Sequence, residues 1–325
     1  MFKLAFLINP VSGGGVGREV FARLEEILDS FGVKRDSWTA EMTDATRLEE
    51  QADALILSSR KLIAVGGDGT LGIVLDRVRR LRPNTTIGLI PLGTGNDLGR
   101  ALGVYRVYNS KGLVACLKRL LKAPGLPFDL WDAGDGQTTL VSYLSTGLDA
   151  GVLRDFDRAR KRGKLFGGAV GNKLFYLRAF LLRMRYKFPA GAQVRLETDK
   201  GWIDIPLQGK RVLLAANINS YAAGAHPFPG NRFDDGVLEV AIYETLWKYF
   251  LITAGSRVLP RLARWMRRSQ PTYHARRLEL RLPHGTPLQI DGEDRTNHFP
   301  GENLTVSFVA RVRLLDLRRS FYALF

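Results

Sequence analysis

One stretch constrains the fold more than any other: Lys61-Leu-Ile-Ala-Val-Gly-Gly-Asp-Gly-Thr70. Leu62–Val65 is a short apolar run with no polar break, the pattern of a strand buried on both faces of a parallel sheet. Gly66-Gly67-Asp68-Gly69 ends it, since glycine admits left-handed dihedrals and lets the backbone approach a ligand closely. Beyond Thr70, Leu71, Val74, Leu75 and Val78 recur at helical spacing. Strand, glycine turn and helix in this order aim bare N–H groups and a helix N-terminus at one point, which suits a phosphate. Gly67, Gly69 and Gly72 also satisfy G-x-G-x-x-G. A dinucleotide fold, however, wants an acidic residue about 20 positions on, at the end of the next strand. There the chain has Ile87–Ile90 and then Pro91-Leu-Gly-Thr-Gly-Asn-Asp97, a second glycine turn. An Asp inside the first turn would also repel a pyrophosphate unless a cation lay between them. Hydride transfer is therefore disfavoured, and Asp68 reads as a magnesium-side carboxylate or a base for an attacking hydroxyl.

The same grammar appears at the start of the chain. Strand 2–8 runs into Asn9-Pro-Val-Ser-Gly-Gly-Gly-Val-Gly17, and a helix follows with Val20, Leu24, Ile27, Leu28 and Phe31 on one face. No Gly-Lys-Ser/Thr closes this loop, so it is not a Walker A motif. Strand 37–42, helix 44–59, strand 61–65, helix 70–81 and strand 86–90 complete an alternating pattern. It predicts an α/β, doubly wound, Rossmann-like nucleotide domain with three glycine turns at the carboxyl ends of its parallel strands. After Ala123-Pro-Gly-Leu-Pro127 the texture changes to short alternating segments bounded by turn residues. These are 128–132, 138–146, 193–198, 202–207, 212–217, 237–243, 278–282, 287–290 and 304–308, with helical insertions near 152–186 and 245–268. They predict an all-β second domain, a β-sandwich. A chain of 325 residues exceeds one ordinary core, so the division falls as 1–125 and 126–311, with the tail 312–325 returning to the first domain.

Together the motifs resemble the diacylglycerol kinase family, within the lipid kinases that include sphingosine and ceramide kinases. The matching residues are Asn9-Pro-Val-Ser-Gly13, Gly66–Thr70, Pro91–Leu98 with Arg100, Ser145-Thr-Gly-Leu-Asp-Ala150, Asn172-Lys173 with Tyr176, and Asn217-Ile-Asn-Ser-Tyr221. Asp234-Asp-Gly-Val-Leu-Glu239 and Gln289-Ile-Asp-Gly-Glu293 complete the set. They stand in family order over most of the chain. Departures are Gly99 for the usual Ala, a glycine-rich loop after Ser12, Phe166-Gly-Gly-Ala and Ala222-Ala-Gly-Ala. The resemblance implies an ATP- and Mg2+-dependent lipid kinase that most resembles the diacylglycerol branch. The first domain would hold ATP and the cleft between domains would host the transfer.

Phosphoryl transfer needs positioning and charge neutralisation more than covalent help. Asn9, Ser12, Gly66, Gly67, Gly69, Thr70, Thr94, Gly95 and Asn96 are the candidates for cradling phosphates. Asp68 and Asp97 sit in the two glycine turns, and Asp129 matches a family acidic position at the domain junction. Asp291 and Glu293 flank Gly292. On an extended chain their carboxylates share one face, where they could hold a metal or accept a proton. The choice of base stays open between Asp68 and Glu293. The resemblance further implies a structural magnesium at Asp235, with the carbonyls of Arg232 and Val237.

A net charge of +16 calls for an anionic partner. No recognition-helix, zinc or ribonucleoprotein pattern points to nucleic acid. Segment 255–268 sets Arg257, Arg261, Arg264 and Arg268 beside Val258, Leu262 and Trp265, the pattern of an interfacial helix that Pro260 would kink or restart. A second basic cluster runs from Arg154 to Lys164. The expected partners are a lipid substrate, an anionic membrane and a second copy of the chain. The expected location is cytoplasmic and peripheral to the membrane. Cys116 is the lone cysteine, which excludes an internal disulfide. The apolar start reads as a strand rather than a signal peptide, and no uncharged run nears the ~18 residues of a membrane span. His226, His274, His284 and His298 lack metal spacing, and there is no G-x-S-x-G elbow. Rival readings are a sphingosine-, ceramide- or NAD-type kinase, and a catalytically silent protein that binds anionic lipid.

Overall fold

Apolar runs and helical stripes alternate in the first part of the chain, and strand and helix form in the same order. They are β1 (Leu4–Ile8), α1 (Val16–Ser30), β2 (Trp38–Met42), α2 (Leu48–Ser58), β3 (Lys61–Gly66), α3 (Asp68–Leu81), β4 (Thr86–Pro91), α4 (Asp97–Ala101), α5 (Val104–Lys122) and β5 (Gly125–Asp132). β6 (Thr139–Leu140), β7 (Tyr143–Gly147), α6 (Leu148–Lys161), α7 (Ala169–Arg183), β8 (Gln193–Thr198), β9 (Gly201–Pro206), β10 (Val212–Ala216) and β11 (Leu238–Tyr243) follow. The chain continues through α8 (Leu246–Ile252), α9 (Pro260–Arg268), β12 (Thr272–Ala275), β13 (Arg277–Arg281), β14 (Leu288–Ile290), β15 (Glu293–Asp294) and β16 (Asn303–Leu315). This computed structural model describes residues 3–163, 169–257, 259–299 and 302–318. Lys164, Phe166-Gly-Gly168, Val258 and the tail beyond Arg318 lie outside the described residues, as do the side chains of Ala169, Asn172, Lys173 and Arg257.

The chain divides into two units: residues through Leu130 together with the chain from Val309, and Trp131–Phe308. In the first, β2, β1, β3 and β4 lie side by side in that order, every pair parallel. Apart from Lys61 and Thr86, every residue of β1, β3 and β4 is buried, which is why they read as unbroken apolar runs. α1 buries Val20, Leu24, Ile27 and Leu28, and α3 buries Leu71, Val74, Leu75 and Val78. Each such side chain contributes about 1.5–3 kcal/mol. α5 was not legible in the sequence, because its helical stripe is interrupted at Gly112, whose φ is 76°.

The second unit is a sandwich. One sheet orders β16, β13, β8 and β9; the other orders β12, β11, β10, β7, β14 and β15. Leu196, Leu278 and Val306 of the first sheet meet Leu213, Val240 and Leu288 of the second in one core. The opposite face of the second sheet, with Leu214 and Tyr243, packs on Leu148, Val152, Leu251 and Met266 of the helices. β12 and β15 escaped the sequence reading because they are only four and two residues long. β16 is a single 13-residue strand. Its first half pairs with β13, and Arg313 and Leu314 pair parallel to Thr86 and Ile87 of β4. The return to the first unit therefore starts before residue 312, inside a continuous strand.

Candidate active site

Three glycine turns leave the carboxyl ends of β1, β3 and β4. The strand order 2-1-3-4 puts the topological switch between β1 and β3, where doubly wound sheets bind ligands. The turns are laced together. Asn9 N donates to Val65 O at 2.9 Å, and Asn9 Nδ2 donates to Thr70 Oγ1 at 3.2 Å. Leu92 N donates to Gly66 O at 2.8 Å. Gly67 and Gly93 press on each other: a Cβ on Gly93 would lie 2.7 Å from Gly67 Cα and 2.8 Å from Asn96 Oδ1. In front of them the space is open, since a Cβ on Gly14, Gly15 or Gly69 would meet nothing within 4 Å. Ser12 is half-buried and Thr94 exposed at the turn tips. Gly95 O accepts from Arg100 Nε at 3.2 Å, and the guanidinium lies 3.7 Å from the Tyr105 ring centroid.

Asp68 opens α3, where a negative charge favours the positive end of the helix. Its Oδ2 also accepts from Asn96 N at 2.8 Å and Asp97 N at 3.1 Å. The carboxylate thus fastens the second glycine turn and the start of α4 to the first turn. Burial raises its pKa above the ordinary value, and the nearby Asp97 charge adds to this, while the N–H donors of Asn96, Leu98 and Asp97 oppose it. Asn96 holds a left-handed φ of 106°, and its buried Oδ1 has no partner among the described residues. An open cradle, an unsatisfied acceptor and two carboxylates suit a nucleotide phosphate chain with a hard cation. Asp129 is 1% exposed and lies in a bidentate ion pair with Arg311, at 2.5 and 3.1 Å. Arg311 carries no local sequence signal, being 182 positions away.

The second unit changes the reading of two carboxylates. Asp291 and Gly292 have φ of 52° and 82°, so they form the two-residue turn of a β14–β15 hairpin rather than an extended segment. Asp291 and Glu293 consequently do not share a face as period two predicts. Asp291 turns back: Oδ2 accepts from Val141 N at 2.8 Å, and Oδ1 from Ser142 N and Tyr143 N at 2.7 and 3.0 Å. Glu293 is exposed; its Oε2 meets Arg295 Nη2 at 2.7 Å, and its Oε1 has no partner among the described residues. Asp235 is exposed, and its Oδ1 accepts from Val237 N at 3.2 Å in a turn made by Gly236. Among the described residues no three His, Cys, Asp or Glu side chains gather as a metal cluster.

The motif residues Ser145, Asp149, Tyr221 and Gln289 converge in a buried network that sequence reasoning did not assign. Tyr221 Oη donates to Asp149 Oδ2, and Gln289 Nε2 donates to Asp149 Oδ2 at 3.3 Å and to Ser145 Oγ at 2.6 Å. Burial holds the Asp149 carboxyl above its usual range. On α9, which restarts at Pro260, Ala263 and Met266 face inward while Arg261, Leu262, Arg264, Trp265 and Arg268 are exposed. Trp247 on α8 and Trp265 are each 64% exposed. Among the described residues no helix is long and apolar enough to cross a membrane.

Comparison with known proteins accords with this geometry. The profile of the diacylglycerol kinase catalytic domain matches residues 3–130, and that of the diacylglycerol kinase accessory domain matches residues 139–294. The chain is 28% identical to diacylglycerol kinase theta of Mus musculus, over 96% of this chain and 35% of that protein. It is 27% identical to the eye-specific diacylglycerol kinase of Drosophila melanogaster, over 88% of this chain and 21% of the other. The chain thus spans about a third or less of these relatives. A crystal structure described as a diacylglycerol kinase from Bacillus anthracis superposes with a TM-score of 0.66 at 17% identity, covering 98% of both chains, and so shares the fold. With both family domains present in order, the chain belongs to the diacylglycerol kinase family.

Proposed function

We propose that the chain transfers the γ-phosphoryl group of ATP to a lipid hydroxyl, with diacylglycerol as acceptor and phosphatidic acid as product. The observation that carries the reading is the open cradle of three glycine turns at the β1–β3 switch point, with Asp68 at its base. The turn residues Asn9, Ser12, Gly66, Gly67, Gly69, Thr70, Thr94, Gly95 and Asn96 hold the phosphates by backbone N–H and short polar side chains. Residues 1–125 act as the ATP-binding domain and 126–311 as the lipid-facing one. Magnesium, when bound, supplies neutralisation of phosphate charge. Asp68 and Asp97 would hold it, with Asp129 oriented by Arg311. Asp68 has a positioning role as well, since it sets the second turn. Glu293 takes the acceptor proton, because Arg295 orients one oxygen and leaves the other for the hydroxyl. Asp291 keeps that hairpin on the β6–β7 turn. Asp235 with the Arg232 and Val237 carbonyls forms an all-oxygen donor set for a second, structural magnesium.

The protein works from the cytoplasm at an anionic membrane surface. Exposed Trp247, Leu262 and Trp265 beside Arg261, Arg264 and Arg268 support this docking, each basic residue adding about 1 kcal/mol near anionic headgroups. A soluble acceptor such as NAD would need no such surface.

The test is transfer of labelled γ-phosphate from Mg-ATP into diacylglycerol, ceramide, sphingosine or NAD, with Asp68→Ala and Glu293→Gln in parallel. Label in phosphatidic acid, lost in both variants, is the expected result. Label only in another acceptor overturns the substrate, and vesicle binding without any transfer overturns the kinase reading.

A further inference from the structure

Within the second unit, beside the Asp235 turn and under α9, lies a cavity of about 270 Å³. It has room for about nine waters at ~30 Å³ each. Its walls come from the 227–231 loop, β11, β12, the segment after α9 and the inner side of α9. Five polar residues of its lining decide its chemistry: Asn231, Glu239, Tyr243, Arg267 and His274.

The acceptors are short of donors. Glu239 is 5% exposed; Asn231 Nδ2 donates to its Oε2, and its nearest basic neighbour is His274 Nδ1, 3.9 Å from Oε1. The other end of Asn231, Oδ1, is buried with no partner among the described residues. The donors are short of acceptors. Tyr243 is wholly buried, and its hydroxyl has no partner among the described residues. Arg267 Nη1 donates to His226 O at 3.1 Å, and Arg267 forms no ion pair among the described residues. A buried carboxylate and a half-buried guanidinium thus line one small space without pairing with each other. A buried carboxylate short of donors is costly unless something completes its hydrogen bonds.

We infer that this cavity binds the phosphate ester of an amino alcohol, with the ammonium on Glu239 and the phosphate on Arg267. A primary ammonium brings three N–H donors, whereas a quaternary one brings none. Arg267 matches phosphate oxygens in a planar fork. The volume is below that of ordinary drug-sized pockets and takes a headgroup rather than a whole lipid. The source is a phospholipid of the bilayer, since Arg267 sits on the helix whose outer side exposes Leu262 and Trp265. This site is distinct from the transfer site and does not require the kinase reading.

Calorimetric titration of the full chain with O-phosphoethanolamine, without nucleotide and at a pH of about 8 where Glu239 is ionised, tests the site. Phosphocholine, ethanolamine and glycerol 3-phosphate are the comparisons. The expected result is binding of O-phosphoethanolamine at least about tenfold tighter than any of these, the worth of one charged hydrogen bond. Arg267→Met and Glu239→Gln each weaken it about tenfold or more, with thermal melts confirming that both variants fold. No binding in the wild type, or unchanged affinity in both folded variants, overturns the site and leaves only trapped water. Flotation with phosphatidylcholine vesicles, with and without phosphatidylethanolamine, tests the source. Enhanced binding that Arg267→Met abolishes supports the lipid. Calorimetric binding without vesicle discrimination overturns the lipid source and assigns the cavity to the soluble ester.

Discussion

Replacing Asp68 separates its two roles. Its carboxylate accepts from the backbone N–H groups of Asn96 and Asp97 at 2.8 and 3.1 Å, so it ties together turns 28 positions apart in sequence. Asp68→Ala removes that acceptor and leaves two N–H groups of the second turn without it. Loss of a capping side chain costs about 0.5–2 kcal/mol, and hydrogen bonds to charged groups run about 1.5–3 kcal/mol. Against this, burial and the Asp97 charge raise the Asp68 pKa, so the ionised form is itself disfavoured in the folded state. The net expectation is a loss of about 1–2 kcal/mol, read as a drop in melting temperature of about 2–8 °C. Asp68→Asn keeps an oxygen acceptor and discards the disfavoured charge, so at neutral pH it melts at or above the wild type. Phosphoryl transfer should be lost in both. Calorimetric melts and label-transfer assays on the three proteins make the comparison. If Asp68→Ala melts like the wild type, or Asp68→Asn melts below Asp68→Ala, the bridging role is wrong. An active Asp68→Asn would show that the charge is dispensable for chemistry.

Three further outcomes are expected. A Cβ on Gly17 would stand 2.0 Å from Asn9 O, so Gly17→Ala displaces α1 from the end of β1. It should cost about 1–3 kcal/mol or more by urea titration and weaken nucleotide binding; unchanged binding would refute the placement of the first turn. Arg311→Met deprives Asp129 of its bidentate partner and should destabilise by about 3 kcal/mol, with Asp129→Asn in the same chain restoring part of it. Additive losses in that double variant would contradict the pair. Glu239 carries its proton in the folded state up to a pKa of about 7, raised from 4.5 chiefly by burial. An unfolded Glu releases its proton first, so this contribution to stability is full below about pH 4.5 and is lost as pH rises through about 7. The span is about 3 kcal/mol at most, and Glu239→Gln should flatten that part of the wild-type stability profile; an identical profile would refute the burial argument.

By itself the sequence determined the nucleotide half in outline. A strand buried on both faces in a parallel sheet must be continuously apolar, so Leu4–Ile8 and Leu62–Val65 are visible without any partner. The glycine turns are visible for a related reason. Where Gly17 meets Asn9 O, or Gly93 meets Gly67 and Asn96, no side chain fits, so the residue type itself records the contact. The alternating segments of the second unit and the basic face of α9 are likewise local patterns, readable at period two or 3.6.

What only the tertiary structure decided is which of these groups meet. Nothing near Asp68 says that it fastens the Asn96 turn, and nothing near Asp129 says that Arg311 closes on it. Asp291 and Glu293 look like a matched pair on an extended chain, yet the Asp-Gly turn takes positive φ at both positions and turns Asp291 onto the β6–β7 backbone. The last strand reads as ending near Phe308 because charged and apolar residues mix beyond it, but pairing with β4 extends it to Leu315. Strand pairing and ion pairing between distant segments are satisfied by backbone and charge that any local window leaves unassigned. The buried strand and the glycine turn carry their environment in their own composition, whereas Asp68, Asp129, Asp291 and the cavity beside Glu239 acquire theirs from partners brought in by the fold.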